Sequence, residues 1–167
     1  MVGYWLLVQF SEGAFSRYPV YVEGVFYDSP TISPSGTVKL SEEFVKENKL
    51  VYVDVRLEDA VEEFRYLGRT IPLDLYRDSG YLPLLVISTP SGKTLSGIRV
   101  CEPCGSFSFH ILEKKYLDCD ACHTRWNVET LKAVEGGCGD YPPPLLPSSV
   151  GAWIEINLSQ TKLRILT

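Results

Sequence analysis

The chain has little of what most enzymes and haem proteins use for chemistry. Its 167 residues include two histidines and one methionine, and none of its five cysteines falls in the first 100 residues. The sequence contains no G-x-S-x-G segment, no Walker loop and no H-E-x-x-H segment. With two histidines, general bases are also scarce. These absences leave no catalytic residue to nominate.

Long apolar runs and basic stripes are absent as well. No run approaches the ~20 apolar residues of a membrane-spanning helix, so we expect no spanning segment. The formal net charge of -5 argues against a nucleic-acid partner, because such binding depends on Lys and Arg meeting phosphates. The first residues, MVGYWLLVQFSEG, have no basic n-region and make a poor signal peptide. Two alternatives stay open, a cytoplasmic protein and a soluble piece from which a signal or anchor was removed.

The patterns that are present predict a mainly β protein, α+β at most. We expect an antiparallel β sandwich or barrel-like domain with a C-x-x-C hairpin as a metal-binding subdomain. Residues 41–48 predict a short helix with Ser41 as its N-cap, and 57–68 is the best helix candidate, ending at Gly68. An irregular connection is the alternative for 57–68, because VEEFRYL within it also tolerates a strand. Aromatic, β-branched or alternating segments predict strands at 3–10, 18–27, 49–57, 81–89, 93–100, 107–112, 114–119, 151–158 and 162–166.

These segments divide the chain into four predicted regions. Residues 1–35 form an N-terminal β extension, and 36–100 form a β-rich core. Residues 101–147 form a four-cysteine metal-binding subdomain, and 148–167 form a closing β-hairpin packed on the core. A chain of this length can bury an ordinary apolar core, so no metal is needed merely to hold it together.

The cysteines carry the strongest functional signal. Cys101 and Cys104 form one C-x-x-C pair, fourteen residues follow, and Cys119 and Cys122 form a second pair. A hairpin between the pairs would bring all four thiolates to one centre, the pattern of a tetrahedral metal site. Thiolates select zinc or iron over Mg²⁺ and Ca²⁺. Four cysteines therefore predict either structural zinc or an iron–sulfur centre.

Other interpretations of the same cysteines stay open. The pairs could form two disulfides or a redox-active dithiol. CDACH also matches covalent c-type haem attachment through Cys119 and Cys122, with His123 as the proximal ligand. Haem would leave the first pair without a role and would have only His110 and Met1 as distal candidates. The sequence places His110 in a strand as a wall residue.

The fifth cysteine and four further residues are predicted to surround the site. Cys138 is a possible additional ligand, with a spare or buried thiol as the alternatives. A loop over 136–144 is expected to shield the sulfurs, and hydrogen bonds to sulfur would tune a reduction potential. The four surrounding residues are His123, Trp126, Gly137 and Pro142.

Four stretches between Gly36 and Pro147 resemble the soluble domain of the FtrD-like membrane iron–sulfur protein family. They are GTVKLSEEFVKENKLVYVDV, LPLLVISTPSGKTLSGIRVCEPCG, LDCDACHTRWNVETL and GGCGDYPPPLLP, and all five cysteines fall on the family's pattern. The second cysteine loop is also similar to that of Rieske proteins. Rieske loops pair one Cys with one His, whereas this chain has Cys at both positions of both pairs, which favours an all-cysteine site.

The resemblance implies an iron–sulfur or related all-cysteine metal protein that acts in electron transfer as an accessory to iron uptake. It implies an electron carrier rather than an enzyme, with an iron–sulfur cluster as the favoured cofactor. A redox protein, such as a membrane permease or an oxidoreductase, would be the partner. The implied location is extracytoplasmic or membrane-associated. A zinc-stabilised structural or binding module and a monohaem c-type cytochrome remain the alternatives.

Overall fold

The structure is a computed structural model that describes residues 18–167, and the predicted strand at 3–10 lies outside them. Most of the described elements are short strands, which confirms the mainly β prediction. In chain order the first eight are β1 (Tyr21–Glu23), β2 (Val25–Phe26), β3 (Thr31–Ile32), β4 (Thr37–Ser41), β5 (Leu50–Arg56), β6 (Glu63–Tyr66), β7 (Arg69–Pro72) and β8 (Tyr81–Ser88). The next seven are β9 (Thr94–Ile98), β10 (Phe109–Leu112), β11 (Tyr116–Cys119), β12 (Arg125–Asn127), β13 (Ala133–Glu135), β14 (Ser148–Val150) and β15 (Trp153–Asn157). The helices are α1 (Glu42–Asn48) and two 3-10 turns, Arg77–Ser79 and Ser159–Thr161.

Strands β5 and β8 form the centre of a four-stranded sheet in the order β2-β5-β8-β9. Only β2 and β5 run parallel within it. The predicted hairpin on either side of the turn at 90–92 is confirmed by the antiparallel pairing of β8 with β9. The alternation of valines with Tyr52, Asp54 and Arg56 predicts a half-buried strand, but in β5 Tyr52 is buried like its valine neighbours. The reason is that a second apolar cluster lies against the other face of this strand.

A second four-stranded sheet, β14-β15-β4-β3, adds its buried side chains to the same core as β5 and β8. Helix α1 also contributes Val45 to this core. The predicted cap is confirmed, because the Ser41 hydroxyl accepts a hydrogen bond from the Phe44 N–H at 3.2 Å. We call these two sheets, α1 and their shared core the sandwich region.

The cysteines lie in or beside a different sheet, five-stranded and antiparallel, in the order β1-β10-β11-β12-β13, with Cys119 at the end of β11. The predicted hairpin of 107–119 is confirmed by β10 and β11, which pair Phe109 with Cys119. Three residues connect the strands, and the Lys115 N–H donates to the Leu112 carbonyl at 2.9 Å across Glu113 and Lys114, which both have positive φ as in a type I′ turn. We call this sheet and the loops that carry the cysteines the cysteine region.

The N-terminal strand segment 18–27 crosses between the two regions. It contains two strands, β1 and β2, which pair with β10 and β5 respectively. The chain changes sheets at Gly24, where a Cβ would come within 2.1 Å of the Tyr52 ring. A side chain there would collide with that ring, so glycine permits the junction.

The helix predicted over 57–68 is wrong. Part of this segment is β6, which forms an antiparallel hairpin with β7. The two turn residues, Leu67 and Gly68, have φ values of 50° and 74°, the left-handed conformation that two-residue hairpin turns use. Phe64 and Tyr66 are buried while Glu63 and Arg65 are exposed, so the true period is two. Gly68 serves a hairpin turn and does not end a helix.

The C-terminal strand predicted at 162–166 is also wrong. The strand within 151–158 is present as β15, but its hairpin partner is β14, which precedes it. β15 also pairs with β4, so both of its edges are occupied. Ile165 instead makes an isolated bridge with Leu57. The competing partners of β15 explain why the last segment stays outside the sheet.

Candidate metal centre

The two C-x-x-C segments fold into matching turns, which we call the first and second knuckle. In the first, the Cys101 N–H donates to the Ser106 carbonyl at 2.8 Å, and the Gly105 N–H donates to the Cys101 carbonyl at 2.9 Å. Gly105 has a φ of 70°, a conformation that glycine adopts without steric cost. This backbone requirement explains the glycine after the first pair.

The second knuckle repeats these contacts at the end of β11. The Cys119 N–H donates to the Thr124 carbonyl at 3.0 Å, and the His123 N–H donates to the Cys119 carbonyl at 2.9 Å. His123 therefore occupies the position of Gly105 and also has a positive φ, of 56°. The histidine of CDACH thus stands at the turn position that closes a knuckle.

The two knuckles bring four sulfur atoms together. Cys101 Sγ lies 3.8 Å from Cys122 Sγ, and Cys104 Sγ lies 3.6 Å from Cys119 Sγ. All four sulfurs lie within 4.8 Å of one another, and none of the five cysteines is in a disulfide. A tetrahedral ion with metal–sulfur bonds of about 2.3 Å would set its sulfurs about 3.8 Å apart. The four thiols are therefore spaced as the ligands of one ion are.

Burial differs between the four thiols. Cys101 and Cys119 are fully buried, Cys122 is half-buried and Cys104 is exposed. The inner pair is thus shielded from water, whereas the outer pair, above all Cys104, borders solvent. Any group held here would be protected on one side and accessible on the other.

The surroundings of the thiols divide them into two kinds. The hydrogen bond from Cys101 lowers the pKa of Cys119, and N–H groups of Cys122 and Ala121 add to the effect. The same thiol–thiol hydrogen bond, followed by burial, raises the pKa of Cys101. Burial also raises the pKa of Cys104, to about 11. In the metal-free chain Cys119 therefore ionises more easily than an ordinary cysteine, while Cys101 and Cys104 stay protonated.

Cys122 is the second thiol whose ionisation is favoured. Burial opposes it, but hydrogen bonds from the hydroxyl and N–H of Thr124 outweigh burial and lower the pKa of Cys122. Thr124 Oγ1 lies 3.2 Å from Cys122 Sγ and accepts the Cys138 N–H at 3.1 Å. The protonated Cys122 thiol donates to this oxygen, and once the thiol is ionised the hydroxyl can turn to donate to the sulfur.

The four-sulfur group does not include Cys138, which is buried beside Thr124. A hydrogen bond from Cys138 contributes to the lowered pKa of Cys122, so the fifth thiol neighbours the second knuckle. The glycine two residues earlier, Gly136, allows this approach, because a Cβ there would lie 2.5 Å from Thr124 Oγ1. The structure places Cys138 as a neighbour of the sulfur group.

The four predicted surrounding residues have different positions. Trp126 is fully buried, shares an apolar cluster with Cys101 and Cys119, and donates its indole N–H to the Gly139 carbonyl at 2.9 Å. Gly137 is exposed, with no atom within 4 Å of where its Cβ would be. Pro142 is half-buried in the loop. The loop's later part packs on β9, where Ile98 N–H donates to the Pro144 carbonyl at 2.8 Å.

Sequence reasoning missed a buried carboxylate between the two histidines. Asp118 is fully buried and accepts from Arg125 Nε at 2.8 Å, and His123 Nδ1 lies 3.2 Å from it. His110 Nε2 lies 3.5 Å from the same carboxylate, and its Nδ1 bonds to Asp120. The available signal was the spacing of Asp118, on β11 opposite His110, and Asp120, just after that strand. Both histidines thus have carboxylate partners.

Comparison with known proteins bears on these observations. The model of a family described as "Membrane iron-sulfur containing protein FtrD-like" matches residues 73–165, more than half of the chain and all five cysteines. No curated protein and no solved structure matches the chain. Within residues 18–167, none of the helices combines the length and apolar character needed to cross a membrane.

Proposed function

The chain belongs to the FtrD-like family of membrane iron–sulfur containing proteins, and we propose that its four clustered thiolates hold one iron ion for electron transfer. The ligands would be Cys101, Cys104, Cys119 and Cys122. One observation carries the proposal: the four sulfurs lie within 4.8 Å of one another at the ends of two matching knuckles.

The donor set fits such an ion. Four thiolates suit iron or zinc and disfavour Mg²⁺ and Ca²⁺. In a cluster of several irons the cysteines are shared out among the metal atoms, so their sulfurs lie further apart than on one ion. All four sulfurs lie within 4.8 Å of one another, which leaves no pair set apart on a second metal atom and favours a single ion over a multinuclear cluster.

The surrounding residues support a redox role. An iron ion in four thiolates supplies one-electron chemistry between its ferric and ferrous forms. The N–H groups of Ala121 and Cys122 lower the pKa of Cys119, and N–H groups that favour a thiolate also stabilise the added negative charge of a reduced centre. The buried side, with Phe109 and Trp126 in the same apolar cluster as Cys119, excludes water.

The exposed side would be where electrons enter and leave. Cys104 is exposed, and Leu75, which is 74% exposed, packs within van der Waals reach of the neighbouring Gly105. An apolar side chain in water next to a ligand suits transient docking of a redox protein. As the resemblance implies, that partner would be a membrane permease or oxidoreductase outside the cytoplasm, and the process would be iron uptake.

Zinc is the second candidate, because the observed sulfur spacing fits zinc as well as iron. A zinc ion would stabilise the cysteine region and carry no electrons. The chain would then be a structural or binding module. The choice between the two rests on metal content and colour.

The test is the metal content and visible spectrum of protein purified without oxygen from iron-supplied cells. We expect about one iron per chain and a coloured protein that dithionite bleaches, as a thiolate-bound iron should be. Cys119→Ser should lose both iron and colour. Cys138→Ser is the matched control, because it also changes a buried cysteine, and it should keep both.

Other outcomes would identify the alternatives. A colourless protein with one zinc per chain would overturn electron transfer. Several irons with acid-labile sulfide would show a multinuclear cluster. Sharp haem bands that survive denaturation would show a c-type cytochrome attached at CDACH.

A further inference from the structure

A cleft of about 420 Å³ opens at the edge of the sandwich region. All of its lining residues precede the first cysteine in the sequence. Four aromatic rings line the cleft, together with two carboxylates and one guanidinium. They are Phe26, Tyr27, Tyr76, Tyr81, Asp28, Asp54 and Arg77. We propose that this cleft binds an uncharged, planar, conjugated ring that carries carbonyl oxygens. Its volume lies in the range of small-molecule sites, about 300–1,000 Å³.

The cleft contains a carboxylate that is largely withdrawn from water and fully paired. The Asp54 side chain is 9% exposed, and the Tyr76 hydroxyl lies 2.7 Å from each of its oxygens. Arg99 Nη2 lies 2.6 Å from one oxygen, and Arg77 Nη1 lies 2.9 Å from the other. Because two guanidinium groups face this carboxylate and Asp28 lines the cleft, the charges balance. A neutral ligand therefore suits the cleft better than an ion.

Arg77 stands where it can contact such a ligand. It begins a run of three residues, Arg77, Asp78 and Ser79, with φ values of 43°, 55° and 59°. The left-handed conformation is sterically unfavourable for residues with a Cβ, so this turn persists against its local preference. It sets the Arg77 guanidinium carbon 3.9 Å from the centre of the Tyr81 ring.

The unused donors of Arg77 define the ligand's polar group. Among residues 18–167, the hydrogen bond to Asp54 uses only Nη1 of this guanidinium. The side chain is half exposed, which leaves Nε and Nη2 to donate to an acceptor oxygen in the cleft. Flat rings between aromatic walls gain from stacking. Together these features select a planar ring with carbonyl oxygens, as in quinones and flavins.

The cleft also adjoins the cysteine region. The Phe26 and Tyr52 rings contact edge to face with centroids 5.4 Å apart. The Tyr52 hydroxyl donates to the Phe109 carbonyl at 2.6 Å and accepts the Phe109 N–H at 2.8 Å. Phe109 in turn pairs with Cys119 across β10 and β11. Electron exchange between ring and metal centre along these contacts rests on the proposed function, whereas ring binding does not.

The experiment titrates the full chain with two probes. Riboflavin reports binding by quenching of its own fluorescence. Duroquinone, whose fully substituted ring cannot add to cysteine thiols, competes with it or is followed by calorimetry. Saturable binding of either probe supports the proposal, and the stronger probe identifies the ring class. Failure of both to bind would overturn it.

Variants locate the binding. Arg77→Ala removes the donor and Phe26→Ala removes a wall, and each should weaken binding about tenfold. Arg164→Ala is the control, because Arg164 is also an exposed, ion-paired arginine but lines a different cavity with Glu58. Its affinity should stay within about twofold of the original, a shift too small to count as a lost contact.

Two further controls distinguish loss of ring binding from loss of folding. Thermal unfolding establishes that each variant folds, and Phe26→Leu, which keeps an apolar wall, should retain more affinity than Phe26→Ala. Equal weakening by Arg164→Ala, or none by Arg77→Ala and Phe26→Ala, would overturn the cleft as the site. Metal content is measured in parallel, so loss of ring binding with metal retained contradicts only this inference. Ring binding without iron contradicts only the proposed function.

Discussion

The sandwich region and the cysteine region are held together in different ways. The longest strands of the sandwich region are β5, with seven residues, and β8, with eight. Its core consists of buried aliphatic and aromatic side chains. The strands of the cysteine region have three or four residues, and its apolar cluster includes Cys101, Cys119 and Cys138. Short strands are only marginally stable by themselves. From this difference we expect apolar burial to hold the first region, and the second to depend more on the metal that we propose for its four thiolates.

The largest expected effect comes from Cys119→Ser. Removal of a buried ligand should eliminate metal binding, and structural metal contributes several kcal/mol or more to folding. Amide hydrogen exchange should then rise strongly in β10–β12 while β5 and β8 stay protected. Equal loss of protection in both regions would contradict the division into an apolar and a metal-dependent region.

The next largest effect is expected from a change in the core of the sandwich region. Leu84, fully buried in β8, belongs to the sandwich core. Leu84→Ala should lower the free energy of unfolding by about 2–5 kcal/mol, because it leaves a cavity among packed side chains. The measurement is urea unfolding of the metal-loaded protein. Folded protein should keep its full metal content, and loss of metal from the folded form would show that the two regions are not separable.

The pH dependence of metal affinity provides a third test. The raised pKa values of Cys101 and Cys104, the latter about 11, mean that both thiols carry protons at neutral pH in the metal-free chain. Binding must displace these protons, so affinity should rise with pH, by about tenfold per unit for each proton released. Competition with a chelator at several pH values measures it. A flat profile from pH 6 to about 8 would contradict the assigned proton positions.

The smallest effect tests the sandwich region alone. Ser41→Ala removes the hydroxyl that caps α1 and should lower the free energy of unfolding by about 1 kcal/mol. Ser41→Asn is the matched control and should retain most of the stability, since asparagine also caps helices. Metal affinity should not change in either variant. A change would mean that α1 influences the knuckles.

The cysteine pairs could be predicted from the sequence because their geometry is local. A C-x-x-C turn fixes two thiols, and a hairpin of known length returns the chain to the same place. The hairpin at Leu67 and Gly68 was missed because spacings of three and four residues from Leu57 to Leu67 also suit a helix. What decides the matter is that Phe64 and Tyr66 are buried by distant strands, which no local pattern shows. The pairing of β15 with β14 is likewise a choice between competing partners.

Around the candidate centre, too, local sequence patterns predicted some positions, while others depended on how the strands pair. The packing of Trp126 followed from its position after the second knuckle. The carboxylate at Asp118 could not be recognised without the register that sets it opposite His110. His123 drew attention as part of CDACH, whereas it follows its cysteine pair as Gly105 follows the first, and the positive φ of both residues shows that they share a turn position.

The most direct test of the central claim is X-ray absorption at the iron edge of the purified protein. One iron held by Cys101, Cys104, Cys119 and Cys122 predicts four sulfur neighbours at about 2.3 Å, the usual metal–thiolate distance. It also predicts no second iron nearby. A short iron–iron distance would contradict a single-ion centre, and a protein that holds zinc and no iron would contradict electron transfer.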